Sequence, residues 1–255
     1  MLTIQLKLNH ARHLKAYHRW FAESPQPADI SRLAFYYHCR RRTQLPGFLR
    51  VPKYTKLIDL TLGEDAVSSG FNKSTRYELR RAEKENFTFA LVTDPDAFAE
   101  FYDQFAASKQ HDALNRPDLA AYWPSTVVMA IHHNGEPLVM HSYLIDRQAG
   151  RGLMQHSASQ FRGLDDNEQR RRVGRANRFL HHQAMLWMLA QGLSTYDFGG
   201  YAHGTTDPQL QAINYFKDNF GGELVEESNY TSMALAMLRG FKQMLAMRNI
   251  AGARS

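Results

Sequence analysis

The chain has 255 residues, 44% apolar and 22% charged, a balance that excludes disordered, collagen-like and coiled-coil sequences. Thirty-one Lys and Arg against 25 Asp and Glu leave a net charge of +6, which favours anionic partners (phosphates, nucleic acid, anionic lipid) without choosing among them. Cys39 is the only cysteine, so an intrachain disulfide and a thiolate-rich metal site are both excluded.

Residues 1–54 read as a basic, irregular segment. Arg40, Arg41, Arg42, Arg50, Lys53 and Lys56 fall between Tyr36 and Lys56 with no acid among them. Tyr54–Leu62 is β-rich and predicts a strand. Residues 63–85 place Val67, Phe71, Thr75, Leu79 and Ala82 at near-helical spacing, with Arg76, Arg80, Arg81 and Lys84 between them, and predict one basic helix. Phe87–Thr93 reads as a strand. Asp94–Ser108 is an amphipathic helix carrying Phe98, Phe101, Tyr102, Phe105 and Ala106 on one face. Asn134-Gly135 separates two β-rich runs, a strong hairpin signal, and a further turn leads into a third antiparallel strand over 153–159.

Residues 160–173 are polar and Arg-rich, and a helix is expected over Gly174–Gln191, ended by Gly192. Ser194–Phe198 predicts a short strand that runs into Gly199-Gly200. Asp207-Pro208 opens a second helix with Leu210, Ile213 and Phe216 inward, ending at Gly221-Gly222. Glu223–Glu227 and Tyr230–Leu235 predict two last strands. The tail from Ser228 has no acid, and its Met233, Met237, Phe241, Met244 and Leu245 can form one helical stripe beside Arg239, Lys242, Arg248 and Arg254. That stripe suits either a packed terminal helix or an anionic membrane surface. The order is that of an α+β domain with a mixed, mostly antiparallel sheet flanked by helices. The expected organisation is a basic N-terminal extension or partial first unit over 1–85, the main domain over 86–236 and a tail over 237–255. No run reaches the roughly 18 apolar residues of a membrane span. The first 20 residues lack a signal peptide's apolar core. Both point to a cytoplasmic chain with at most peripheral contact at the inner face of the membrane.

Arg171-x-x-Gly174-x-Ala176 resembles the R/Q-x-x-G-x-G/A loop of GNAT-type N-acetyltransferases, in which helix-start amides face a pyrophosphate and small residues let it approach. Tyr196-Asp-Phe-Gly-Gly200 and Ile213-Asn-Tyr-Phe-Lys-Asp-Asn-Phe-Gly-Gly222 are similar to the Fem-type peptidyltransferase signature, shared with the cellulose-biosynthesis acetyltransferases. Thr55-Lys-Leu-Ile-Asp-Leu and the run from Asn72 to Lys84 resemble that family's opening segment. Together these cover roughly residues 54–235.

The resemblance implies a GNAT-like fold and an N-acyltransferase that moves an acyl group from acyl-CoA to an amine of a sugar or lipid-linked saccharide in cell-envelope polysaccharide biosynthesis. Its alternative within the class takes aminoacyl-tRNA as donor. An alternative of another class is a non-catalytic nucleic-acid-binding module, although no such motif appears. The donor residues implied are Arg171, Arg172, Val173, Gly174, Arg175, Ala176 and Asn177. Asp197 either binds or deprotonates the acceptor amine or caps the glycine turn after it. Lys217 either neutralises developing charge or is an exposed cation. Tyr215 is the candidate general acid by an ambiguous alignment on Gly221. His156 is either a base near the cleft or a structural histidine. The adjacent pairs His132-His133 and His181-His182 cannot share a face, which argues against a metal, and Cys39 reads as inert.

Overall fold

Val128 and Ala130 alternate with Met129 and Ile131 along one strand, and all four are buried, so this strand is covered on both faces. The computed structural model, which describes residues 1–8, 11–160 and 166–241, shows what covers it. The strand is β6 (Thr126–His133), counted after β1 (Leu2–Leu8), β2 (Ala11–Trp20), β3 (Leu33–Cys39), β4 (Phe48–Asp59) and β5 (Phe87–Val92). It continues through β7 (Glu136–Asp146) and β8 (Arg151–Ser159) as an antiparallel meander, and β5 pairs antiparallel on its other side. Asn134 and Gly135 both take positive φ, 53° and 86°, the backbone that a tight hairpin turn requires.

The chain forms two compact units, Met1–Tyr54 with Glu226–Ser255 and Thr55–Val225. The second unit has the strand order β4-β9-β8-β7-β6-β5, where β9 is Thr195–Tyr201. One face carries α1 (Glu64–Ser69), α2 (Lys73–Ala82) and α5 (Asn167–Ala190). There Val67, Phe71, Leu79, Ala176 and Leu180 pack on Met129, Ile131 and Phe198. The other face carries α3 (Pro95–Ser108) and α4 (Arg116–Tyr122), with Phe98, Phe101 and Leu119 on Val128, Ala130, Met140 and Ala158. Each large apolar side chain buried in this way contributes roughly 1.5–3 kcal/mol. This is the mixed, mostly antiparallel, helix-flanked sheet expected, but its boundaries fall after Tyr54 and Val225 rather than after residues 85 and 236.

In the first unit the irregular segment expected over 1–54 is replaced by strands. Leu2-Thr-Ile-Gln-Leu-Lys-Leu8 alternates apolar and polar residues, and Ile4 and Leu6 are buried while Thr3, Gln5 and Lys7 are exposed. β1 pairs antiparallel with β2, β2 parallel with β3, and β3 antiparallel with β10 (Glu223–Ser232). The two last strands expected are this single strand. Its polar middle stays in register because Asn229 Oδ1 accepts from the His38 amide at 3.1 Å and Ser228 Oγ from Arg50 Nε at 2.8 Å. Cys39 is fully buried and its thiol is pushed up to about 12 by burial, in keeping with an inert cysteine.

Two further expectations change. Residues 63–85 hold two helices rather than one, because Asn72 starts a new one by accepting from the Thr75 amide at 2.7 Å. All five predicted apolar-face residues there are nonetheless buried. The long helix α5 starts at Asn167, not Gly174: Asp166 caps it by accepting from the Glu168 amide. The first two turns carry no apolar stripe, so periodicity did not reveal them. Residues 233–241 are helical, with Met237 and Phe241 exposed; the remainder of the predicted tail lies outside the described residues. No helix among the described residues is long and apolar enough to cross a membrane.

Candidate active site

Three separated sequence stretches meet where β8 and β9 part. The two strands pair in parallel over Arg151–Leu153 and Thr195–Asp197, and the register goes no further, although β8 continues to Ser159. Just beyond, β8 carries a bulge: Ser142 faces His156 and Tyr143 faces Met154, leaving Gln155 as the extra residue. Bulges of this kind end pairing and re-aim the chain beside active sites. No pattern in the sequence announces it.

Asp197 lies at the end of the paired segment and is fully buried. Its Oδ2 accepts from Arg151 Nε at 2.9 Å and Nη2 at 2.5 Å; its Oδ1 accepts from the Gly199 amide at 2.8 Å and from the Thr55 hydroxyl. A carboxylate has about four acceptor sites, and all are occupied, so Asp197 holds the glycine turn and has no lone pair left for an amine. Gly199 itself has φ +71°, and a Cβ there would sit 2.8 Å from the Met154 carbonyl oxygen, so only glycine fits.

Lys217 comes from α6 (Pro208–Asp218), which Asp207 caps. Of the two readings left open, it is not an exposed cation. It is 6% exposed, and its Nζ donates to the carbonyls of Gly200 at 2.5 Å and Gly199 at 3.4 Å. Burial lowers its pKa to about 8, against a smaller opposing pull from Asp197. The inward face of α6 is therefore Phe216 and Lys217, whereas the expected Leu210 and Ile213 are exposed. The ends of the resembling segments also lock together: Asn72 donates through its backbone and side chain to Asn219, at 2.9 and 2.6 Å, and Gly221 lies against the Gly70 carbonyl.

The other predicted residues scatter. Tyr215 is 67% exposed. His156 faces α3, with its Nδ1 2.8 Å from Ser142 Oγ and its ring against Tyr102; burial lowers its pKa. The implied donor segment lies inside α5, where backbone amides 174–177 belong to the helix ladder and do not face a ligand. Val173 and Ala176 are core residues. Arg175 is buried and ion-paired to Glu85 and, at 2.6 Å, to Glu168; Arg172 also faces Glu85 at 3.7 Å. Arg171 is exposed.

Asn177 anchors a buried chain that sequence reading missed. Its Oδ1 only accepts, so His141 Nε2 donates to it at 2.8 Å, and His141 Nδ1 must then accept from Tyr143 Oη at 2.9 Å. Tyr143 in turn accepts from Tyr196 at 3.2 Å, and Tyr196 from His181 Nδ1 at 2.6 Å. Every proton is thereby placed, and both imidazoles are neutral. Burial lowers His141 to about 4 and holds His181 well below its usual value, with the positive charges of Lys217 and Arg178 adding to the latter. A cavity of about 400 Å³ lies at the other end of β9, between β4 and α1, walled by Leu57, Leu62, Val67, Thr195, Phe220 and Glu223. None of the predicted site residues lines it.

No family model and no curated protein matches the chain. Among solved structures, FemX aligns with a TM-score of 0.58 at 13% identity, over 80% of this chain and 67% of that one. A C-terminal domain assigned to lysylphosphatidylglycerol synthetase from Agrobacterium fabrum aligns with 0.52 at 14% identity, over 80% and 71%. L-PGS from Bacillus licheniformis aligns with 0.51 at 12% identity, over 79% and 68%. At these identities the likeness establishes the fold alone, the mixed, mostly antiparallel, helix-flanked sheet expected from the sequence.

Proposed function

We propose that the chain is a transferase that moves an acyl or aminoacyl group from an activated carrier to an amine. The observation that carries this reading is Lys217: a buried ammonium, without a carboxylate in ion-pair contact among the described residues, held at the glycine turn where β8 and β9 separate. A cation is kept in such a place at a cost, and the chemistry that repays it is negative charge developing on a carbonyl oxygen during amine attack. Two of its three N–H donors go to Gly199 and Gly200, leaving one for the oxyanion. Asp197, Thr55 and Arg151 fix the turn that aims it, so the protein's part is positioning and charge stabilisation.

The finer reading is acyl transfer from acyl-CoA to an amine of a sugar or lipid-linked saccharide of the cell envelope, with contact at the inner membrane face. A second reading, aminoacyl-tRNA as donor, gains from one feature: in the segment whose Arg171-Gly174-Ala176 pattern favoured a CoA thioester, Val173 and Ala176 are occupied in packing and Arg175 in ion pairs. The name of one aligned protein, a lysylphosphatidylglycerol synthetase, also denotes an aminoacyl product. Purified chain should be given radiolabelled acetyl-CoA or charged lysyl-tRNA with amino-sugar and lipid acceptors. Label transferred to an amine, and lost in Lys217→Met, supports the reading and names the donor. Absence of transfer from both donors, with neither stabilising the fold, removes it.

A further inference from the structure

Burying a positive charge without a counter-charge is unfavourable, and folds usually pair such groups. Along α5 this rule holds for Arg172 and Arg175, which face Glu85 and Glu168. Arg178, half-buried one turn further on, breaks it. No carboxylate among the described residues lies within ion-pair distance of it; Glu78 of α2 acts on it only through space. One of its five N–H donors goes to the Gly174 carbonyl at 3.0 Å, and its guanidinium carbon sits 5.3 Å from the centre of the Phe216 ring. Phe216 immediately precedes Lys217. The His181 ring lies 5.4 Å from Phe216, and burial with the charges of both cations keeps it uncharged. Desolvation lowers the pKa of Arg178 as it does that of Lys217, so both cations are held at a cost that an arriving anion would reduce.

We propose that Arg178 binds an anionic phosphoryl group of one substrate where it meets Phe216 of α6, the neighbour of Lys217 in the chain. A guanidinium backed by an aromatic ring keeps its N–H edge free for two parallel bonds to phosphoryl oxygens, the geometry in which arginine exceeds lysine. The assignment rests on the transferase reading only in making the anion a substrate group. Either source supplies the same chemistry: the carrier that brings the acyl group, or a lipid acceptor with a phosphate head.

Inorganic pyrophosphate, coenzyme A and phosphatidylglycerol vesicles should be titrated into the full chain and into Arg178→Gln, Arg178→Lys and Arg147→Gln. The last alters an exposed arginine bonded to Gln191 and serves as control. Pyrophosphate affinity is expected to fall at least tenfold in Arg178→Gln, to recover in part in Arg178→Lys and to be unchanged in Arg147→Gln. Coenzyme A following this pattern places the phosphoryl group on the donor; vesicles following it place it on a lipid. In turnover, Arg178→Gln raises KM for that substrate at least tenfold and leaves kcat within a fewfold, unlike Lys217→Met. Unchanged pyrophosphate binding in a folded Arg178→Gln, or no binding of any probe by the wild type, overturns the site. If transfer proceeds with KM indifferent to Arg178, the site fails and the transferase reading stands. Arg178-dependent binding without any transfer has the opposite meaning.

Discussion

Replacing Lys217 by Met should separate the cost of the buried charge from its use. A lysine that gives up its proton at about 8 rather than 10.5 disfavours the folded state by about 3 kcal/mol while folded and unfolded chains are both protonated. Below about pH 8 that penalty is complete. As pH rises past 8 the folded chain loses the proton first, the penalty shrinks, and by pH 10.5 it is gone. The contribution of this one group therefore makes the wild type more stable with rising pH across that window, and Lys217→Met lacks the rise. Removing the ammonium also strips a donor from the Gly199 and Gly200 carbonyls, at about 1 kcal/mol or more each, which is independent of pH. Urea denaturation of both proteins at pH 7 and 10.5 isolates the charge from these bonds. The stability of the variant relative to wild type should fall by about 3 kcal/mol between the two pH values. Its turnover should be about a hundredfold lower at pH 7, the scale of removing one oxyanion donor. Parallel pH curves would refute the buried-charge argument, and normal turnover would refute its catalytic use.

Two more outcomes follow from the course of α5. Gly174→Ala should stabilise the fold by about 0.5–1 kcal/mol in thermal or urea unfolding, since the position is interior to a helix and a Cβ there meets only Arg178 Nη1 at 3.6 Å. Coenzyme A affinity should be unaffected; a tenfold loss would return Gly174 to the donor site. Arg175→Gln should cost about 3 kcal/mol of stability by leaving Glu85 without its buried partner. A change in donor KM at unaltered stability would instead make Arg175 a substrate ligand.

Local chemistry alone determined most of the second unit. The Asn134-Gly135 turn, the cap at Asp207-Pro208, the 3.6-residue stripe over 94–108 and the buried set Val67, Phe71, Thr75, Leu79 and Ala82 are each written within a few residues of chain. So were the members of the candidate site that fall in motif-like runs, Asp197 and Lys217. Their roles were not, because a role depends on neighbours distant in sequence. Asp197 became a turn anchor only when Thr55 and Arg151 closed on it, from 142 and 46 residues away. Lys217 became a buried cation only because α6 turned Phe216 rather than Leu210 and Ile213 toward the core. The start of α5 was hidden for a related reason: its first turns are held by a cap and by Arg175 with Glu85 and Glu168, not by an apolar stripe that periodicity detects. The His141–Tyr143–Tyr196–His181 chain and the unpaired charge of Arg178 exist only in three dimensions. Sequence spacing fixes which face of an element a side chain occupies, but which charges find partners across elements is decided by packing.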